Sequence, residues 1–82
     1  MEAFKERLVN EYVELENKYD ALMKFLNSEK YTQLDLTNQM LLQQQAAWMT
    51  GYKTTLLHRI TVLLDDDDIK NFTNQYIKDE TI

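Results

Sequence analysis

Gln45, Trp48, Tyr52 and Arg59 are the residues of this chain whose types and spacing could hold a ligand. Intervals of three, four and seven put all four on one side of a helix, and Lys53 lies one residue's rotation away. The chemistry would be recognition of an aromatic anion: ring faces stack on a base while the guanidinium and ammonium groups meet phosphates. A plainer alternative makes Trp48 and Tyr52 core residues and Arg59 a helix-end cation facing its own dipole. The residues alone leave both open.

Other constellations carry less. The chain has one histidine, no cysteine and no glycine-rich phosphate loop, so catalysis has little support and no enzyme activity is expected. His58, beside Arg59, reads as a surface or interface residue. No metal and no cofactor is expected, because a single His and scattered carboxylates lack ligand spacing. Asp65, Asp66, Asp67 and Asp68 form the strongest local signal. The run lacks the glycine and the spaced ligands of an EF-hand. It reads instead as a break: four acids oppose the negative end of a preceding helix dipole and favour the start of a new helix.

Those residues need long helices to position them. Eighty-two residues with no Pro and one Gly contain nothing that interrupts a helix, and they are expected to form one domain, 1–82. Helix 1 is expected over about 2–27. Leu8, Tyr12, Leu15, Tyr19, Leu22 and Leu26 form a seam with alternating steps of four and three. Val9, Val13 and Met23, with Phe4 and Phe25 nearby, form a weaker second line, either a broad core face or a second contact surface. Ser28 can cap a short turn through Tyr31, with Tyr31 and Leu34 plugging the end of a hairpin. Asp35 is the expected N-cap of helix 2, over about 36–64. A short helix 3 is expected over about 68–78, with Ile69, Phe72, Thr73 and Tyr76 on its apolar face.

Helix 2 carries two overlapping stripes. One is Leu42, Gln45, Met49, Tyr52, Leu56, Arg59 and Leu63; the other is Leu41, Trp48, Thr55 and Val62, flanked by Ile60 and Leu64. A helix with a single neighbour needs one stripe. Both long helices come to about 40 Å at ~1.5 Å per residue, and one hairpin cannot bury every apolar face. The expected architecture is therefore all-α: an antiparallel two-helix hairpin plus a short C-terminal helix, assembling into a homo-oligomeric helical bundle. Gly51, in mid-helix, is either a tolerated weak spot or a point of close approach beside Tyr52.

Charge narrows the partners. Fourteen acids against nine bases give −5, which argues against nucleic-acid binding through phosphate neutralisation. The N-terminus lacks the apolar stretch of a signal peptide and no run is long enough to span a bilayer, so no membrane partner and a cytoplasmic location are expected.

The segments EYVELENKYDALMKFLNSEKYTQLD and LLQQQAAWMTGYKTTLLHRI resemble a family of small helical-hairpin proteins carried by bacteriophages. The matching positions are Phe25, Leu26, Ser28, Tyr31 and Leu34 at the turn. On the second helix they are Leu41, Leu42, Gln45, Met49, Tyr52, Leu56, Arg59 and Ile60. The resemblance covers about residues 1–60. The organisation is similar to that of the anti-CBASS and anti-Thoeris hairpin sponges, which assemble into oligomers and sequester cyclic or ADP-ribose-type nucleotide signals. It implies a phage counter-defence protein acting in the host cytoplasm, with itself and a nucleotide signal as partners. Gln45, Trp48, Tyr52, Lys53 and Arg59 would then form the ligand site. Two alternatives stand beside it: an inhibitor that covers a host defence protein, using the acids at 65–68, and a structural or adaptor bundle.

Overall fold

The computed structural model describes residues 2–76, with side chains as far as Asn71. Four helices follow one another: α1 (Ala3–Leu26), α2 (Glu29–Thr32), α3 (Leu36–Leu63) and α4 (Asp66–Tyr76). There is no strand among the described residues. α1 and α3 lie side by side as the arms of a hairpin, in a body 48 × 28 × 16 Å.

The turn between the arms is made by hydrogen-bonding side chains. Asn27 Nδ2 donates to the Met23 carbonyl at 2.9 Å, and Ser28 Oγ donates to the Phe25 carbonyl at 2.6 Å. Both bonds occupy acceptors that a helix end leaves open. Ser28 Oγ also accepts from the Tyr31 amide at 3.4 Å, which starts α2. Asp35 caps α3 by accepting from the Asn38 amide at 2.8 Å. Tyr31 then fastens the turn to α3. Its ring meets Phe25 edge-on, its hydroxyl accepts from Gln43 Nε2 at 2.6 Å, and Gln39 Nε2 donates to the Tyr31 and Leu34 carbonyls at 3.1 Å.

The main core lies at the other end of the hairpin. Leu8, Val9 and Leu15 from α1 meet Leu56, Ile60 and Leu64, with Tyr12, Val13 and Met49 packed around them. Val9 and Leu56 are each 1% exposed. Val9 is thus more deeply buried than any residue of the seam from Leu8 to Leu26, and the apolar face of α1 is broad rather than a narrow stripe. Burial, followed by the charge of Glu16, holds the half-buried Tyr12 hydroxyl above its ordinary pKa.

The acidic run ends α3 at Leu63, and Leu64 turns to an extended conformation with its side chain buried. Asp65 and Asp68 then cap α4 reciprocally. Asp65 Oδ1 accepts from the Asp68 amide at 2.8 Å, and Asp68 Oδ2 accepts from the Asp65 amide at 3.2 Å. α4 therefore starts two residues earlier than the pattern suggests. Its expected end near Lys78 lies outside the described residues, as do the side chains of Phe72, Thr73 and Tyr76. Lys5 Nζ donates to Asp68 Oδ2 at 2.8 Å and ties α4 to the first turn of α1. That bond raises the Lys5 pKa and lowers that of Asp68, and the bond to the Asp65 backbone lowers Asp68 further.

Candidate functional site

α3 has two faces. The inward one carries Ala46, Leu56 and Ile60, all buried, with Leu42, Met49 and Lys53 partly covered. The outward one is a second seam of fours and threes: Leu41, Gln45, Trp48, Tyr52, Thr55, Arg59 and Val62, all exposed. Trp48 is 72% exposed and Val62 81%. The stripe drawn through Leu42, Gln45, Met49, Tyr52, Leu56, Arg59 and Leu63 is therefore split. Leu42, Met49 and Leu56 turn towards α1, and Gln45, Tyr52, Arg59 and Leu63 do not. The reason is geometric: two seams offset by one residue interleave in sequence, and only the partner helix selects between them.

Of the candidate ligand residues, Gln45, Trp48 and Tyr52 come together. With Leu41, Gln44 and Met49 they line an open groove of about 600 Å³ on the outward face. Gln45 Nε2 lies 4.0 Å from Met49 Sδ, so its carboxamide is held only weakly. Trp48 and Tyr52 offer their rings to solvent instead of filling the core, which excludes the core reading for these two within the hairpin. Arg59 sits about 10 Å further along the axis, seven residues from Tyr52. There it lines a second open groove with Thr55, His58, Val62 and Leu63.

Lys53 does not join them. Its ammonium lies 4.3 Å from the centroid of the Tyr19 ring on α1, a cation–π contact inside the hairpin. This explains how a lysine is accommodated on the inward seam and gives Tyr19 a partner. The expectation that Lys53 shares a site with Tyr52 and Arg59 thus meets a different arrangement.

One neighbour of Arg59 carries no sequence signal. Arg7 of α1 and Arg59 of α3 line a common depression of about 360 Å³ with Phe4, Leu8 and Glu11. Arg7 is hidden in the sequence because its neighbourhood depends on the register of the two arms, and no local pattern encodes that register. The whole of α3 carries Lys53 and Arg59 and no acid, although the chain as a whole is at −5. Among the described residues no three of His, Cys, Asp or Glu converge as metal ligands, and no helix is long and apolar enough to cross a membrane.

A family model described as Sequestin matches residues 2–62. That span takes in α1, α2 and α3 almost to its end and stops short of the acidic run. No curated protein matches the chain, and no solved structure does.

Proposed function

The chain belongs to the Sequestin family, and from that premise we propose that it is a phage counter-defence sponge, a homo-oligomer that sequesters a nucleotide immune signal between its subunits in the host cytoplasm. The family's name describes sequestration, which is binding rather than turnover. The observation that carries the nucleotide reading is the outward face of α3. Trp48 and Tyr52 stand exposed over one groove with Gln45, and Arg59 follows on the same line.

Each part has a physical role. The exposed rings offer stacking surface, which any base can use. Arg59 offers a planar fork suited to phosphate oxygens. The grooves are open, and a ligand gains most from stacking and charge when water is excluded. A second copy of the outward seam laid across the first would close them and cover Leu41, Trp48 and Val62 together. Lys53, engaged with Tyr19, has at most an indirect part in this reading.

Calorimetry with cyclic dinucleotides, cyclic trinucleotides and cyclic ADP-ribose isomers, run beside light scattering, tests the proposal. Saturable binding that Trp48→Ala weakens is expected. No binding by any of the panel to an intact oligomer would end the nucleotide reading. The rival in which the acids at 65–68 cover a host protein has less to present, since Asp68 is buried and paired with Lys5 and Asp65 is engaged in the cap.

A further inference from the structure

The depression between the arms of the hairpin has a chemistry of its own. Arg7 and Arg59 line it from different helices, together with the apolar Phe4 and Leu8 and the acid Glu11. Acids outnumber bases in the chain, so an arginine has many possible partners. Yet neither Arg7 nor Arg59 makes an ion pair among the described residues, not even Arg7 with Glu11 one turn along the same helix. Two guanidinium groups that line one concavity without a carboxylate partner leave their donors open to an oxyanion. A guanidinium donates through a rigid planar fork, and two forks from different helices can satisfy several oxygens of one phosphoryl group.

We infer that Arg7 and Arg59 form a two-arginine clamp for the phosphoryl group of a ligand, in the groove between α1 and α3. The inference deepens the binding reading above, and its nucleotide part rests on it. Arg59 also lines the groove of Thr55, His58, Val62 and Leu63 on the outward face. A phosphate held by the clamp therefore lies at the margin of the face where Tyr52 and Trp48 offer stacking surface. Glu11 acts against an anion in the clamp, so its carboxylate limits affinity and favours ligands with a hydroxyl or amino donor near the phosphate. Arg7 belongs to the site although it lies on the other helix, because only the antiparallel pairing of the arms brings it to Arg59.

The test is calorimetry on the full chain at low salt with two probes, sodium pyrophosphate and cyclic di-AMP. Pyrophosphate should bind, and Arg7→Ala and Arg59→Ala should each weaken it by about tenfold or more, the effect of losing a charged hydrogen bond. Arg7→Lys keeps the charge without the fork and should fall between the wild type and Arg7→Ala. Glu11→Gln should tighten binding. Lys30→Ala removes a cation at the closed end of the hairpin and should leave the affinity unchanged, which separates a local clamp from net charge. Absence of pyrophosphate binding, or equal losses from Arg7→Ala and Lys30→Ala, would overturn the clamp. Pyrophosphate binding that depends on both arginines, with no binding of any nucleotide in the wider panel, would keep the clamp and remove the nucleotide reading. Nucleotide binding indifferent to Arg7→Ala would do the reverse.

Discussion

Leu56 and Val62 lie less than two turns apart on one helix, and one is 1% exposed while the other is 81% exposed. Each belongs to a seam with the same alternation of three and four, and the seams differ in composition. The inward one uses Leu42, Ala46, Met49, Leu56 and Ile60, residues with no hydrogen bond to satisfy except in Lys53, which rests on Tyr19. The outward one mixes Leu41, Trp48 and Val62 with Gln45, Tyr52, Thr55 and Arg59, so polar groups recur at every turn. An aliphatic seam suits a permanent partner within the chain. A seam of rings, amides and one guanidinium suits a contact that must also read a ligand.

The comparison breaks most visibly at Leu56. Leu56→Ala removes a fully buried side chain from the centre of the core and should cost about 3 kcal/mol, because the remaining cavity adds to the lost transfer term. A chain of this size has little stability to spare, and chemical denaturation should show a largely weakened hairpin. The same measurement on Val62→Glu should give a change within about 0.5 kcal/mol for the separated protomer, as for other exposed positions. If the outward seam joins copies of the chain, its effect belongs to that contact. A charge repeated across a copy-to-copy seam should turn an oligomer into a monomer by light scattering, with helicity by circular dichroism retained. An unchanged mass would remove the outward seam from the assembly.

The acid run offers a sharper contrast, since it belongs to neither seam. Asp68 is held below the ordinary carboxylate range first by Lys5, and Lys5 is held above its ordinary value first by Asp68. The lowered carboxylate adds stability that is complete above about pH 4 and is lost as pH falls through its folded value. The raised ammonium adds stability that is complete below about pH 10 and is lost as pH rises through its folded value. Docking of α4 should therefore be flat between those limits. Asp68→Asn keeps a capping side chain while removing the charge. Amide exchange should accelerate at residues 65–71 and stay unchanged around Leu56. Faster exchange throughout α3 would mean that α4 is part of the core rather than an appendage.

The hairpin was legible because its signals are local. Leu8 to Leu26 keep one seam, Ser28 and Asp35 cap at the expected places, and Asp65 begins a break that dipoles alone demand. The division of α3 was not legible. Apolar residues surround this helix, so a pattern through Leu42 and Tyr52 is as regular as one through Leu42 and Met49, and only contact with α1 decides between them. Trp48 and Tyr52 could have been core for the same reason. The contact of Lys53 with Tyr19 joins residues far apart in the chain, so spacing along α3 gives no sign of it. Arg7 with Arg59 and Lys5 with Asp68 also depend on the register of the two arms, which is set by the shared core of Leu8, Val9, Leu15, Leu56, Ile60 and Leu64.

Gly51 offers the smallest and most discriminating change. It lies at the edge of the outward seam, between Trp48 and Thr55, and a Cβ added there meets nothing within 4 Å inside the hairpin. Its backbone has no positive φ to protect. Within one protomer Gly51→Ala should therefore be favourable by about 1 kcal/mol, the difference in helix propensity. For a domain of this size that is a rise in Tm of about 4–8 °C. A helix free of neighbours on that side must show the gain in full. If another copy packs its backbone against the glycine, the added methyl group opposes that contact, and Tm becomes dependent on concentration while oligomer mass falls. A gain with the mass unchanged leaves the outward seam bounded by Trp48 and Thr55. A loss of mass would extend the copy-to-copy contact around the helix to Gly51 and separate the stability of the protomer from the stability of the assembly.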